Sequence, residues 1–392
     1  MNSATPVMES PASPAPKPTD HAVRKLDWID GMRGLAVLMV IAVHCIISTS
    51  PGGPQNKPEW MADWVYTFFH SGKYGVQLFF VVSAYTMLHS FYGRKGEKNA
   101  ATKFFIRRYF RIAPMFYFGI ILYYGFYWFS RREFMPLEAV GLTALFLHGF
   151  SPPYINTAVA GGWSIGVEFM FYALVPVLAL VIRNLREALI FLAATLALAG
   201  GLFVAVVLNR ESPGWLGEFI RTYNNQDGFL YFWLPNQLFV FAVGFVLFFL
   251  VKDRLGEDPP RWVRPLYWAS LAGLLAACAF NPEHILAHAF LAAAFLPFCA
   301  SIALLRPKWA TSALIRRIGV DSFGIYIWHY AIKILFDRFL PKFGLPNDSV
   351  WFFPVIFLCV TGMSVLLADL TRRWVEDPGQ ALGRKLIKRL PS

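Results

Sequence analysis

Apolar segments follow one another along most of the chain, separated by short polar and basic stretches. Ten of these segments are each about as long as an α-helix must be to cross the hydrocarbon core of a bilayer. They cover residues 33–49, 72–92, 106–129, 163–182, 188–208, 229–251, 265–281, 285–305, 319–340 and 350–371. The pattern predicts an all-α fold, a polytopic bundle of about ten transmembrane helices.

An eleventh apolar segment, 137–150, is short and is interrupted by Gly141 and His148. If this segment does not cross the membrane, 27 of the 36 Lys and Arg residues lie on the same side as both termini. Such a bias marks the cytoplasmic side, and it would collapse if the segment crossed. We therefore predict a short re-entrant or surface helix on the outer side. Both termini are predicted to be cytoplasmic, in a bacterial-type inner (cytoplasmic) membrane.

The two ends of the chain differ from the apolar region between them. Residues 1–23 are rich in proline and small polar residues, a composition that predicts a disordered cytoplasmic tail. No small-residue cleavage site follows the first apolar segment, so we expect it to be retained as a helix. A transmembrane domain is predicted for residues 24–378, and a basic cytoplasmic tail for residues 379–392. The pattern defines no oligomeric state.

Composition supports the membrane class. Hydrophobic residues make up 56% of the chain and charged residues only 15%, with a mean hydropathy of +0.47. Although the net charge is +12, basic residues clustered between apolar segments are typical of cytoplasmic loops next to membrane lipids, so we expect no nucleic-acid partner. The cysteines match neither a disulfide framework nor a zinc site, and we expect no metal.

Two ionisable residues of the first apolar segment lie on one helix face. Arg33 and His44 are separated by 11 positions, which places them within roughly 20° in azimuth and roughly 16 Å apart along a helix. The arginine then lies at the cytoplasmic rim and the imidazole near the midplane. An ionisable group at that depth is costly and indicates function by default. The alternative is a structural histidine bonded to a neighbouring helix.

Two other segments place ionisable side chains in the same membrane core. Glu168 shares a helix face with Tyr172, and we expect its carboxylate to pair with a basic residue of another helix. His329 also lies near the midplane. Together, His44, Glu168 and His329 favour an acid/base site over a purely structural role.

A basic cluster opens the third segment at the cytoplasmic boundary. Arg108 and Arg111 are spaced so that they share one side of a helix, and Arg107 precedes them. Guanidinium groups bind phosphate in bidentate fashion, so the cluster suits a nucleotide or pyrophosphate. The alternative is a set of ordinary anchors that contact lipid headgroups.

Six motifs in order resemble the membrane acyltransferase-3 family, which transfers acyl groups to extracytoplasmic carbohydrates. They are LDWIDGMRGLAVLMVIAVH, GVQLFFVVSAY, FFIRRYFRIAP, WSIGVEFMFY, FGIYIWH and the terminal Glu376-Asp-Pro378. Ala84 stands where the family usually has glycine. Since the chain ends soon after the last segment, we expect no appended soluble domain.

The resemblance implies a mechanism for these residues. Cytoplasmic acyl-CoA, with acetyl as the expected acyl group, would bind through Arg33, Arg107, Arg108 and Arg111. His44 would act as general base on the acceptor hydroxyl, and Glu168 would orient His44 or hold the acceptor. The residues implied to line the cavity are Ser83, Tyr85, Trp163, Ser164, Tyr172, Tyr326 and His329. The acceptor would be a polysaccharide or glycolipid, and transfer would be direct or through a covalent acyl-enzyme.

Two other functional classes fit part of the pattern. A secondary transporter or flippase for a lipid-linked sugar would also bury His, Glu and Lys residues as proton relays, although the chain shows no internal repeat. A non-catalytic scaffold or sensor would tolerate buried polar residues, but it would not require a cluster of arginines at the rim.

Overall fold

The computed structural model describes residues 26–48, 57–58, 60–94, 96–223, 228–279, 287–340 and 351–390. The predicted tail 1–23 lies outside these residues. All regular elements within them are helical. In chain order, the α-helices are α1 Asp27–Ser48, α2 Asp63–His70, α3 Gly75–Tyr92, α4 Ala100–Arg131, α5 Leu137–Ala144, α6 Trp163–Val181, α7 Leu185–Asn209, α8 Trp215–Tyr223, α9 Phe229–Phe232, α10 Leu234–Val251, α11 Val263–Ala279, α12 Ala287–Leu305, α13 Lys308–Thr311, α14 Ala313–Val320, α15 Ser322–Phe339, α16 Phe352–Thr371 and α17 Asp377–Lys388.

Helices lie at all ten places where the apolar pattern predicted a crossing. Within the described residues, seven helical segments are long and apolar enough to cross a membrane. They contain α1, α4, α6, α7, α9 with α10, α12, and α16 with α17. The structure confirms a polytopic helical bundle, and the number of ten crossings stays a prediction.

The three other predicted crossings are also helices. Helices α3 and α15 have 18 residues each and α11 has 17, so each is roughly 25–27 Å long and close to the thickness of a bilayer core. Polar residues lower the hydropathy of two of them: Gln77 and His89 lie in α3, and Lys333 lies in α15.

The short apolar segment after α4 does not form a long helix. Helix α5 has only eight residues and is about 12 Å long. Phe146 then takes a left-handed backbone conformation with φ of 58°, and a 3₁₀ turn follows at His148–Phe150. The segment is thus too short to cross a bilayer, as predicted. Its position on the outer side stays a prediction.

Helix α1 lies at the centre of the bundle and contacts α3, α14, α15 and α16. Its inner face is apolar and buried, and the Trp28 ring meets the Tyr85 ring of α3 edge to face with centroids 5.1 Å apart. Arg33 of α1 donates a hydrogen bond to Thr86 of α3 over 3.3 Å. The polar residues of α1 therefore face other helices.

The C-terminal helix is part of the bundle. A π-helical turn at Arg372–Glu376 joins α16 to α17. Two glycines of α17 allow close packing on α4: a Cβ at Gly379 would lie 2.3 Å from Pro114 Cγ, and one at Gly383 would lie 2.7 Å from Phe110 Cβ. Residues 379–388, which the sequence assigned to a tail, therefore form an ordered helix that packs against the fold.

Candidate active site

A cavity of about 340 Å³ lies between α1, α3, α4, α6, α15 and α17. Its charged and amide side chains are Arg33, Arg108, Arg111, Arg372, Asp30, Glu168, Glu376, Asp377 and Gln380. Its hydroxyl groups belong to Ser83, Ser164, Tyr172, Ser322 and Tyr326. Apolar side chains complete the wall: Val76, Phe79, Phe80, Ile112, Ile165, Val320 and Phe323.

The cavity has a guanidinium end and a hydroxyl end. Arg108 packs near the ring of Tyr172, whereas Ser164 lies two turns earlier on the same helix, α6. At about 1.5 Å per residue, the two ends are roughly 12 Å apart along α6. A molecule that contacts both ends must therefore be elongated.

Arg108 is the most enclosed cation of this site. Its residue is 9% exposed, and its guanidinium lies 5.5 Å from the Phe104 ring centroid and 5.9 Å from that of Tyr172. Within the described part of the chain, neither Arg108 nor Arg111 has a hydrogen bond or an ion pair. Arg33, by contrast, lies 3.6 Å from the carboxylate of Asp30.

Arg107 lies outside the cavity, although the sequence grouped it with Arg108. Consecutive residues of a helix point about 100° apart, and Arg107 donates a hydrogen bond to Glu97 over 3.2 Å. Lys103 lies 3.6 Å from the same carboxylate. Burial would raise the pKa of Glu97, but the hydrogen bond and charge of Arg107, with Lys103, hold that pKa below its ordinary range. Arg107 thus anchors the loop before α4.

Glu168 is held by two hydroxyl groups. Tyr172 donates a hydrogen bond to Glu168 Oε1 over 2.9 Å, as their shared helix face predicted, and Ser83 of α3 donates to the same oxygen. The expected ion pair with a basic residue is not formed: within the residues described, Glu168 has no ion pair. Hydroxyl groups of two helices satisfy the carboxylate instead.

Three oxygen atoms meet at the hydroxyl end. Tyr326 of α15 donates a hydrogen bond to the Gly161 carbonyl over 3.0 Å, and Ser164 Oγ lies 3.0 Å from both the Gly161 oxygen and the Tyr326 hydroxyl. Gly161 has a φ of +74°, and a Cβ there would lie 2.6 Å from the Tyr326 hydroxyl oxygen. Glycine is therefore required at this position.

The structure brings His44 and His329 together, but it places neither in the wall of the cavity. His44 Nδ1 and His329 Nε2 are 3.0 Å apart, and His329 Nδ1 lies 2.6 Å from the Tyr326 carbonyl oxygen. His329 is 1% exposed and packs against the ring of Tyr326. Arg33 and His44 therefore do not open into one space, because contact between the cavity and His44 leads through Tyr326 and His329.

Two other residues predicted to line the cavity also lie outside it. Tyr85 is two positions after Ser83, so its side chain points to the opposite face of α3 and packs against Trp28 and Phe248. Trp163 precedes Ser164 and packs against Phe80 and Phe232. Both rings support the wall from behind.

The C-terminal part of the site was missed from the sequence. Glu376 is buried, and its Oε1 has no hydrogen-bond partner among the described residues. Arg372 forms an ion pair with Asp321, with Nε and Oδ1 2.7 Å apart. Asp377 and Gln380 lie in the first turn of α17. The signal was present in the Glu376-Asp-Pro378 motif, to which no role was assigned.

Among the residues described, no three His, Cys, Asp or Glu side chains are grouped to hold a metal ion.

A charged cavity enclosed by long apolar helices is the arrangement of an integral membrane protein with a polar site in its core. The chain belongs to the acyltransferase-3 family: a family model described as an acyltransferase domain matches residues 26–372. This membership confirms the resemblance seen in the motifs.

Curated relatives are similar over most of this chain. The peptidoglycan O-acetyltransferase OatA of Listeria monocytogenes is 23% identical over 92% of this chain and 56% of its own length. The O-acetyltransferase OatA of Staphylococcus aureus is 22% identical over 95% of this chain and 60% of its own length. The putative membrane-bound transacylase BcsY of Komagataeibacter xylinus is 24% identical over 88% of this chain and 82% of its own length.

The chain thus spans less than two thirds of the length of both OatA proteins. No solved structure matches the chain.

Proposed function

We propose that this protein transfers an acyl group, with acetyl as the expected group, from cytoplasmic acyl-CoA to a hydroxyl of an extracytoplasmic polysaccharide or glycolipid. One observation carries the proposal: Arg108 is a buried guanidinium with no hydrogen bond or ion pair among the described residues, and it lies in the same elongated cavity as a cluster of hydroxyl groups. The names of the relatives support an acetyl group and a cell-wall acceptor.

The guanidinium end suits the phosphates of the donor. A buried cation without an anionic partner is costly, so the site around Arg108 is complete only when an anion occupies it. Arg111 and Arg33 line the same cavity and can add charge-assisted hydrogen bonds to phosphate oxygens. The long arm of acyl-CoA would then carry the thioester toward Ser164 and Tyr326.

His44 remains our choice for the general base. The Tyr326 carbonyl can only accept a hydrogen bond, so His329 Nδ1 carries a proton and donates it to that oxygen. Neutral His329 then accepts from His44 Nδ1, which leaves the lone pair of neutral His44 on Nε2. Since His44 lies beyond Tyr326, the acceptor hydroxyl would approach from the side of His44 and the donor from the cavity.

Two neighbouring arginines give a matched test of donor binding. We expect Arg108→Gln to weaken binding of acetyl-CoA about 10- to 100-fold, because it removes charge-assisted hydrogen bonds. Arg107→Gln, whose side chain pairs with Glu97 outside the cavity, should bind acetyl-CoA like the wild type. Calorimetry on the full chain in lipid nanodiscs measures both. Equal effects of the two substitutions, or no binding by the wild type, would contradict the proposal.

Analysis of envelope glycans identifies the acceptor. A strain that lacks the protein should lose the mass of one acetyl group at each modified site, as measured by mass spectrometry. Glycans with unchanged acylation would contradict the proposed reaction.

A further inference from the structure

The hydroxyl end of the cavity has more hydrogen-bond donors than its carbonyl acceptor needs. The Gly161 carbonyl is 3.0 Å from the Tyr326 hydroxyl and 3.0 Å from Ser164 Oγ. The backbone N–H of Ser164 lies 3.3 Å from the same oxygen. Three donors therefore surround one carbonyl oxygen, which has two lone pairs.

This surplus makes one hydroxyl proton available at little cost. When Ser164 Oγ donates to the Gly161 carbonyl, the Tyr326 O–H is free to turn toward another acceptor. The Gly161 carbonyl then still accepts a hydrogen bond. Redirecting a buried donor usually leaves its acceptor unpaired, and this free-energy penalty is avoided here. The change requires rotation of hydroxyl protons only, since all three oxygen atoms already lie within hydrogen-bond distance.

The Tyr326 side chain is held in place for this task. It is 6% exposed, and its ring packs against Phe79 and His329. A glycine at position 161 admits the hydroxyl to a space where any other residue would place its Cβ. A donor that is fixed before the reaction stabilises developing charge without reorganisation.

We propose that the Tyr326 hydroxyl donates a hydrogen bond to the thioester carbonyl oxygen and stabilises the oxyanion that forms during transfer. Ser164 is a positioning residue, because it takes over the Gly161 carbonyl and releases Tyr326. This assignment rests on the proposed function and names a catalytic group for it. It places the reacting carbonyl where the cavity meets the histidine pair.

Acyl transfer forms a bond from the acceptor oxygen to the carbonyl carbon and breaks the C–S bond of the thioester. The acceptor hydroxyl oxygen bonds to the carbonyl carbon while its proton passes to the base, His44 in the proposed mechanism. The carbonyl π electrons move to oxygen, where the Tyr326 O–H stabilises the negative charge. The C=O bond then re-forms, the C–S bond breaks with its electron pair going to sulfur, and the CoA thiolate is neutralised by the proton that His44 gives up.

Kinetics separate this role from a structural one. We expect Tyr326→Phe to lower kcat about 10²- to 10³-fold, a larger effect than the about three- to tenfold rise in KM for acetyl-CoA that loss of the same hydrogen bond causes in the bound state. Ser164→Ala should lower kcat on the order of tenfold, since Tyr326 must then serve Gly161 more often. The double variant should be no slower than Tyr326→Phe alone, because Ser164 acts only through the Tyr326 hydroxyl, which Tyr326→Phe already removes.

Tyr123→Phe provides a matched control. The Tyr123 hydroxyl is buried and donates to the Ile327 carbonyl of α15 over 2.8 Å, but it does not line the cavity. Like Tyr326→Phe, this variant removes one hydrogen bond between a buried tyrosine hydroxyl and a backbone carbonyl, and it also involves α15. It should lower thermal stability and leave kcat close to that of the wild type.

A binding measurement tests the contact independently of turnover. The probes are acetyl-CoA and the corresponding ethyl thioether of CoA, which lacks the carbonyl oxygen. The wild type should bind acetyl-CoA about three- to tenfold more tightly than the thioether, and Tyr326→Phe should bind the two equally. Wild-type binding of acetyl-CoA with an unchanged preference in Tyr326→Phe would overturn this inference and leave the proposed function standing. Failure of the wild type to bind either probe would overturn both.

Discussion

The imidazole pair shows how one residue prepares another. His329 Nδ1 is 2.6 Å from a backbone carbonyl, and this contact determines which nitrogen of each ring carries a proton. The orientation of His44 is set as well, because its ring packs against His329 and Tyr330. Both the tautomer and the ring orientation of His44 are thus set by its neighbours.

A substitution at His44 separates catalysis from donor binding. We expect His44→Ala to lower acyl transfer by about 10² or more, the usual effect of losing a general base. Donor affinity should stay unchanged, because His44 does not line the cavity. Radiolabelled acetyl transfer and calorimetry measure the two quantities. Transfer at the wild-type rate would rule out His44 as the base.

His148 predicts a pH dependence of stability. It is buried in the 3₁₀ turn that follows α5, and its Nε2 lies 3.0 Å from the Gly162 carbonyl oxygen. Burial lowers the pKa of His148 below its ordinary value of 6.5, although the hydrogen bond to Gly162 opposes this shift. The unfolded chain therefore binds a proton at higher pH than the folded chain, and stability falls as the pH drops below 6.5.

The comparison with His148→Asn isolates this contribution. Between about pH 7.5 and about pH 5.5, the wild type should lose more thermal stability than the variant, which has no titrating group at this position. Thermal unfolding in detergent at several pH values measures the difference, since the other histidines contribute equally to both proteins. Parallel pH curves would show that His148 does not carry the dependence.

At the residue scale, the sequence identified the chemical types of the site residues better than the directions in which their side chains point. It grouped Arg107 with Arg108, yet only Arg108 lines the cavity, and it grouped Tyr85 with Ser83, yet only Ser83 does. Residue type and spacing fix which side chains share a helix face. They do not fix which face meets the cavity, since that depends on how the neighbouring helices pack.

Helix α17 forms one wall of the cavity, and its two glycines allow it to pack closely against α4. Gly379→Ala places a methyl group against the rigid ring of Pro114, where a Cβ has only 2.3 Å of space. We expect the substitution to push α17 away from α4, at a cost of about 1–3 kcal/mol. Hydrogen exchange across residues 377–388 should rise, and acetyl-CoA should bind less tightly because Asp377 and Gln380 line the cavity.

Gly362→Ala is the control for this prediction. Gly362 lies inside α16, where a Cβ would meet no atom within 4 Å. The substitution should leave exchange in α17 and donor binding unchanged. Protection of residues 377–388 that is equal in both variants would show that the packing of Gly379 does not hold α17 in place.

At the element scale, apolar segments could be predicted and α17 could not. Each long apolar run formed a helix, because a segment in lipid must satisfy its backbone hydrogen bonds internally. Residues 379–388 are basic and contain two glycines, so their sequence indicates a tail. Their helix gains its stability from a surface of α4 that exists only in the folded bundle.

At the scale of the whole molecule, we expect the basic loops to lie on the cytoplasmic side of the membrane. We expect Lys98→Cys, before α4, to react with a membrane-impermeant maleimide only in inside-out vesicles. Asn156→Cys, between α5 and α6, should react only in intact spheroplasts. Both positions are exposed, and a Cys359→Ser background removes the exposed native thiol. Labelling from the opposite sides would reverse the predicted topology.

The cavity carries as many carboxyl groups as guanidinium groups, four of each. With all eight ionised, the opposite charges cancel, and the cavity itself exerts little long-range pull on a polyanion. Capture then depends on short contacts with Arg108 and Arg111, which have no ion pair among the described residues. The cavity would then discriminate between anions through their dissociation rates rather than their association rates.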